Sequence, residues 1–86
     1  MPPYRVFIAA EVIAFLKSCR RNEQLLVTQL FDSLARDPNR IGDYVERDQI
    51  GRPIQALIIG RYVVFFWADH AVKEVKVVDM KPADRN

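Results

Sequence analysis

An 86-residue chain has room for one domain and buries too little surface for a large core. Its composition, 50% hydrophobic and 28% charged, is that of an ordinary globular protein rather than of a disordered or fibrous one. The formal charge of +2 is too small to indicate nucleic-acid binding by itself. Any such function has to come from the local placement of charged side chains.

Cysteine and histidine usage argues against disulfides and metal. Cys19 stands alone, which excludes an intramolecular disulfide and fits a cytoplasmic setting. Since neither residue type clusters, we expect no zinc site, no other metal and no cofactor. The N-terminal apolar stretch is interrupted by Glu11 and lacks a signal-peptide cleavage site, and the longest later one is broken at Gly60 and Arg61. We therefore expect no membrane segment.

The first half of the chain predicts one strand and two helices. Over Tyr4–Ala9, Tyr4, Val6 and Ile8 share one face and alternate with Arg5, Phe7 and Ala9, which suits a strand that starts after Pro2-Pro3. Helical spacing of apolar residues follows over Ala10–Cys19 and again over about Glu23–Arg36, where Pro38 ends the second helix. The linker of residues 20–22 is short, so the helices are expected to form an antiparallel hairpin.

A polar segment, Pro38–Arg52, follows the helices. It contains two glycines and charges of both signs, including Arg47. We predict a loop here. Loops held on a rigid scaffold often carry function, and a merely solvated connection is the alternative.

Three strands are predicted from there to Met80. Ile54–Ile59 and Tyr62–Ala68 are rich in β-branched and aromatic residues and are separated only by Gly60-Arg61, which is typical of a tight hairpin with φ > 0 at the glycine. A second turn is predicted at Asp69-His70, before a half-exposed strand over Val72–Met80.

These elements define the predicted fold. It is a single α+β domain over residues 1–86 with the order β-α-α-β-β-β. An antiparallel hairpin sheet carries the helix hairpin on one face. Residues 82–86 are expected to fray.

The central strands are apolar on both faces, although the helices cover only one. Tyr62, Val64 and Phe66 alternate with Val63, Phe65 and Trp67. The second face is either a partner or oligomer site, or it is closed by the N-terminal strand and the C-terminal tail. Trp67 either stacks on RNA bases or anchors a core or a protein interface.

Two further side chains have alternative roles. His70 titrates in the range useful for acid–base chemistry, but its place beside Asp69 favours a turn role. Tyr62 shares a face with Val64 and Phe66, which favours the core over a catalytic phenol.

Several short motifs resemble one known family. The carriers are the helix end Leu34–Pro38, the pair Gly42-Asp43, and the hairpin Gly60–Phe66, followed by a last strand and a basic tail. Together with the element order, they resemble the RelE/ParE superfamily of toxins from bacterial toxin–antitoxin pairs. The resemblance extends over about Tyr4 to Arg85.

The resemblance implies a sheet groove that a small antitoxin covers and neutralises. RelE-like members cut messenger RNA on the ribosome with basic residues, without metal, whereas ParE-like members act on DNA gyrase. Two strand positions where RelE-like nucleases often carry arginine are here Ile58 and Val63. This departure favours a toxin that acts mainly by binding a macromolecular target. The alternatives are RelE-type RNA cleavage and a non-toxic relative that is a protein-interaction module or a homodimer.

The resemblance also singles out the remaining basic residues. Those expected to serve RNA cleavage are Arg52, Lys81 and Arg85. Those expected to contact a partner or nucleic acid are Arg47 and Arg61, together with Trp67.

Overall fold

The computed structural model describes residues 4–83, and it contains two helices and five strands. In chain order they are β1 Arg5–Ile8, α1 Ala10–Lys17, α2 Arg21–Arg36, β2 Tyr44–Arg47, β3 Pro53–Ile59, β4 Tyr62–Asp69 and β5 Glu74–Pro82. The predicted α+β class, with paired helices against one sheet, is confirmed.

All five strands form one sheet in the order β1-β5-β4-β3-β2. Neighbouring strands from β2 to β5 are antiparallel, as predicted for the hairpins. The first strand differs, since β1 pairs with β5 in parallel. The helices α1 and α2 follow β1 in the chain. Strand β1 pairs with the last strand, β5, and not with the next strand, β2.

Strand β2 lies inside the segment predicted to be a loop. All four of its residues are exposed, so no apolar alternation marks it in the sequence. Its position depends on contacts with β3. The backbone N–H of Asp43 donates to Ala56 O at 2.7 Å, the Asp43 carboxylate accepts from the Ile58 N–H at 2.7 Å, and Gln55 Oε1 accepts from the Gly42 N–H at 2.8 Å.

The main core lies between the helices and the sheet. Its largest fully buried side chains come from both layers. They are Val12, Val27, Leu34, Val64, Phe66, Val75 and Val77. Among residues 4–83 no polar or charged residue is buried, so apolar packing forms this layer without the desolvation of charged groups.

Only the first predicted turn has the expected geometry. Gly60 adopts φ 59°, the left-handed conformation that the hairpin needs. The second turn is longer than predicted, because β4 continues through Asp69 and the chain turns over residues 70–73. The left-handed residue there is Lys73, with φ 57°, rather than Asp69 or His70.

Glu23 joins α2 to the β3–β4 hairpin. Its Oε1 accepts hydrogen bonds from the Arg20 backbone N–H at 3.0 Å and from the Tyr62 hydroxyl at 2.9 Å. Its Oε2 accepts from two nitrogens of Arg61, at 2.8 and 3.1 Å. The Arg20 backbone donor, followed by Tyr62 and Arg61, lowers the pKa of Glu23 from its ordinary value of 4.5 against the opposing effect of burial.

This lowered pKa predicts a pH dependence of stability. The carboxylate stabilises the fold above its unfolded pKa, and the stabilisation is lost as pH falls through the lower folded pKa. The Glu23→Gln variant should therefore lose less unfolding free energy than the parent chain when the pH drops below 4.5. Urea unfolding at several pH values measures the difference.

The matched control for this experiment is the exposed Glu46→Gln. This variant removes a carboxylate that forms no ion pair among residues 4–83, and it should change the pH slope less than Glu23→Gln does. Asp69, whose pKa is lowered by its hydrogen bond with Lys76, titrates in all three proteins and cancels in the comparison. Equal slopes for Glu23→Gln and the parent chain would contradict the role of Glu23.

Gly42 predicts a second effect on stability. A Cβ at this position would lie 2.5 Å from Ala56 O and 2.8 Å from two further backbone atoms of Ala56. Gly42→Ala should therefore push β2 from β3 and lower the unfolding free energy by about 1–3 kcal/mol. The neighbouring Ile41, 75% exposed, provides the control Ile41→Ala, which should change stability by less than about 0.5 kcal/mol. Denaturant unfolding checks both.

Candidate functional site

The face of the sheet that α1 and α2 leave uncovered, here called the helix-free face, has its own apolar cluster. Four buried residues of β3 and β4 form it: Ile54, Ala56, Val63 and Phe65. Trp67 and Ala83 pack against them, and the Ala83 N–H donates to Arg61 O at 2.8 Å. The start of the C-terminal tail thus closes part of this face, as one predicted alternative has it, but the N-terminal strand β1 lies at the sheet edge beside β5 and not over the face. Within residues 4–83 the rest of the face is uncovered.

The open part includes a shallow depression of about 210 Å³, here called the apolar groove. Ile58 is 49% exposed there and Tyr44 is 42% exposed. Among residues 4–83 the charged lining residues are Glu46 and Lys81. The lining residues in this range are Tyr44, Glu46, Ile58, Val63, Phe65, Lys81, Pro82 and Ala83. The described part of the groove therefore presents mainly apolar surface with one charge of each sign.

Trp67 lies next to the groove and is held by two cations. The Arg52 guanidinium lies 4.0 Å from the centre of the indole, and Lys76 Nζ lies 5.3 Å from it. Arg52 precedes β3 and Lys76 belongs to β5, and these strands flank β4 on opposite sides. Lys76 also donates to the Asp69 carboxylate at 3.0 Å. The indole is thus engaged from both neighbouring strands.

Beyond Trp67, at the end of the sheet opposite the Gly60 hairpin, lies a second depression of about 310 Å³, here called the basic cleft. It contains two arginines, Arg40 and Arg52, and one imidazole, His70. The remaining described lining is Pro38, Asn39, Pro53, Gln55, Phe66, Trp67 and Ala68, so none of the carboxylates within residues 4–83 lines the cleft. The Tyr4 hydroxyl lies 2.7 Å from His70 Nδ1 and fixes the imidazole.

The structure brings some of the residues predicted for the site together. Arg52 and Trp67 are in contact, and Lys81 lies at the groove with its Nζ 5.1 Å from the centre of the Phe65 ring. Lys81 Nζ is also 3.8 Å from Asp79. Arg85 lies outside the described residues.

Two other predicted residues contact their own chain. Arg47 donates to Gly51 O at 2.8 Å, within the β2–β3 turn. Arg61 binds Glu23 at the hairpin between β3 and β4. Neither lines the apolar groove or the basic cleft.

Two basic residues of this region were missed by the sequence analysis. Lys76 alternates with the buried Val75 and Val77, so its side chain had to lie on the helix-free face, and this signal could have identified it. Arg40 belongs to the segment between α2 and β2, where no periodic pattern indicates which way a side chain points.

The described residues lack other recognisable site types. Within residues 4–83 no three His, Cys, Asp or Glu residues form a group able to hold a metal ion. In the same range neither helix combines the length and the apolar character needed to cross a membrane.

Comparisons with known proteins identify the fold. No protein-family model matches the chain, and no curated protein matches it. Among solved structures, the archaeal RelE–RelB complex from Pyrococcus horikoshii OT3 aligns with TM-score 0.81 at 21% identity, covering 98% of this chain and 99% of that one. The RelBE2 toxin–antitoxin complex from Mycobacterium tuberculosis aligns with TM-score 0.76 at 18% identity, covering 93% and 98%. The chain therefore has the fold of RelE-like toxins, as the sequence motifs indicate.

The contact of Arg52 with Trp67 can be tested by fluorescence, because Trp67 is the only tryptophan of the chain. Arg52→Ala should expose the indole to water, shift its fluorescence emission to the red and lower the unfolding free energy by about 0.5–1 kcal/mol. The control Arg21→Ala removes an exposed arginine from α2 on the other side of the sheet. It should leave the emission maximum in place. An unshifted maximum in Arg52→Ala would show that the stacking does not protect the ring.

Proposed function

We propose that this chain is the toxin component of a toxin–antitoxin pair, that it acts mainly by binding a macromolecular target, and that an antitoxin neutralises it. The fold supports the proposal. The two structures compared above are complexes of a RelE-type toxin with its antitoxin, and the alignments extend over nearly the whole chain. On this proposal the antitoxin covers the open part of the helix-free face.

The apolar groove is the observation that carries the binding role. Phosphoryl chemistry depends on cations placed around the reacting phosphate. At the two strand positions where the resemblance to RelE-like nucleases leads us to look for arginine, the groove presents Ile58 and Val63. A half-exposed isoleucine beside an exposed tyrosine suits the apolar side chains of a protein partner.

Metal-independent RNA cleavage of the RelE type is the second candidate. Glu46 and Lys81 line the same groove, so a carboxylate and a cation are present together. Cleavage through the 2′-hydroxyl needs a group that takes its proton and a cation that stabilises the phosphate. If this activity operates, Glu46→Gln and Lys81→Ala should each abolish transcript cleavage.

Expression in bacteria tests the main proposal. We expect growth to stop when the chain is produced alone, with transcripts intact, and to resume when the protein encoded by the neighbouring open reading frame is produced with it. Cut transcripts on ribosomes would favour the nuclease, and inhibited DNA gyrase would identify the ParE-type target. Unchanged growth, together with failure to bind the neighbouring protein, would contradict the toxin proposal. A doubled mass in solution would then favour a homodimer.

The binding role predicts the effect of a charge in the groove. Ile58→Asp should weaken the complex with the co-expressed antitoxin about tenfold or more, because the carboxylate has to be desolvated against apolar surface. Val45 is 50% exposed and lies between Tyr44 and Glu46, so its side chain points away from the groove. Val45→Asp is therefore the matched control. Calorimetric titration compares the two, and equal affinities would contradict the placement of the antitoxin.

A further inference from the structure

The outer edge of β2 has no strand beside it in the described chain. Within residues 4–83 this strand is the last in the sheet order, and it pairs with β3 alone. The Asp48 N–H donates to Arg52 O at 3.0 Å, and bonded and unbonded pairs alternate along an antiparallel ladder. The N–H and C=O groups of Val45 and Arg47 therefore point away from β3. An edge of this kind is a template for a further strand.

Exposed apolar side chains follow the same edge. Ile41 and Ile50 are each 75% exposed, the highest value for a large apolar residue within residues 4–83, and Val45 between them is 50% exposed. The turn that carries Ile50 is fixed, because the Asp48 carboxylate accepts the N–H groups of Ile50 and Arg52 at 3.0 and 2.8 Å. Apolar surface on a fixed backbone is typical of a protein interface.

The edge is complementary to its own reverse. In an antiparallel pair related by a two-fold axis, each residue is opposite a residue of the same sheet face. With Val45 on the axis, Tyr44 is opposite Glu46 of the partner subunit, which sets a phenol donor against a carboxylate, and the axis repeats this pair. Ile41 then lies at the end of the partner's β2, next to Ile50 of the partner subunit. Apolar and polar positions therefore match along the whole edge.

The neighbouring registers fit less well. An axis at Glu46 would set two carboxylates against each other, and an axis at Tyr44 would move the exposed isoleucines out of register. The axis at Val45 instead sets Arg47 opposite the partner's Asp43, so opposite charges meet. Within the chain Asp43 uses Oδ2 and Arg47 uses Nη1, both with backbone groups, so Oδ1 and Nη2 can meet across the axis.

We propose that two copies of this chain join at β2, antiparallel about a two-fold axis at Val45, so that their sheets become one continuous sheet. The proposal is independent of the toxin function, because pairing at the edge adds no cover to the apolar groove of either copy. The contact uses residues 41–50 of each copy, fewer than the roughly 20–30 residues of a standard interface. The dimer should therefore be weak, and its population should depend on protein concentration.

Sedimentation equilibrium of the purified chain tests the proposal. We expect a monomer–dimer equilibrium with a dissociation constant of about 1–100 µM. Val45→Pro removes an N–H that points away from β3, and proline is tolerated at the outer edge of a sheet. Because the axis doubles the loss, the dimer should weaken about tenfold or more. The matched control Val45→Thr keeps the N–H and the β-branched shape, and it should retain the parent affinity.

A second variant does not touch the strand. Ile50→Ser changes a side chain that the fold leaves exposed, so the monomer should keep its stability while the dimer weakens several-fold. Unchanged emission of Trp67 confirms the fold of each variant.

Cysteine cross-linking tests the register. Directly opposed residues of a bonded antiparallel pair have Cα atoms about 5.5 Å apart, within the range that a disulfide needs. In a Cys19→Ser background, Val45→Cys should therefore form a disulfide dimer under mild oxidation at least about tenfold faster than Val72→Cys. Val72 is the matched control because it is equally exposed, at 50%, but lies in the turn before β5.

Three results would overturn the proposal. They are a monomer at every concentration, a dimer that keeps its affinity in both Val45→Pro and Ile50→Ser, and equal cross-linking rates for the two cysteine variants. If the chain is a monomer and Val45→Pro weakens its complex with the antitoxin, the edge belongs to the antitoxin and not to a second copy. Growth arrest in bacteria bears only on the toxin function, so the two proposals can fail separately.

Discussion

The structure depends on one constraint, which is that β4 is apolar on both faces and has to be kept from water on both. On one face α1 and α2 provide the cover, and Val64 and Phe66 are buried beneath them. On the other face no helix is present in the described chain. Val63 and Phe65 are covered there by neighbouring strands and by Ala83. The cover is incomplete, and the apolar groove lies where it ends.

The fold was largely predictable from local patterns, and the parts that were not depend on distant contacts. Both helices and the Gly60 hairpin follow from periodicity and from the conformational freedom of glycine. Strand β2 could not be predicted because its residues are all exposed and because the contacts that fix its start, made by Gly42 and Asp43 just before it, go to β3. The parallel pairing of β1 with β5 joins opposite ends of the chain, which no local pattern reveals.

The site was less predictable than the fold, because charge in a sequence does not show what the charge contacts. Trp67 and Arg52 were singled out separately, and the structure brings them 4.0 Å apart. Arg61 was singled out for a partner, but its guanidinium binds Glu23, a residue 38 positions away. Arg40 needed the fold to place it beside the cleft. The alternation that buries Val75 and Val77 could have identified Lys76 in advance.

The position of β1 in the sheet has a consequence for protein synthesis. Within residues 4–83, β1 is the first strand in the chain and has one neighbour in the sheet, which is β5, the last strand of this range. A nascent chain can form its helices and the β3–β4 hairpin before β5 is made, but β1 has no strand to pair with until then. A product that stops before Glu74 lacks β5 and leaves β1 and β4 without the strand that joins them. A chain that ends before β5 therefore cannot form the complete five-stranded sheet.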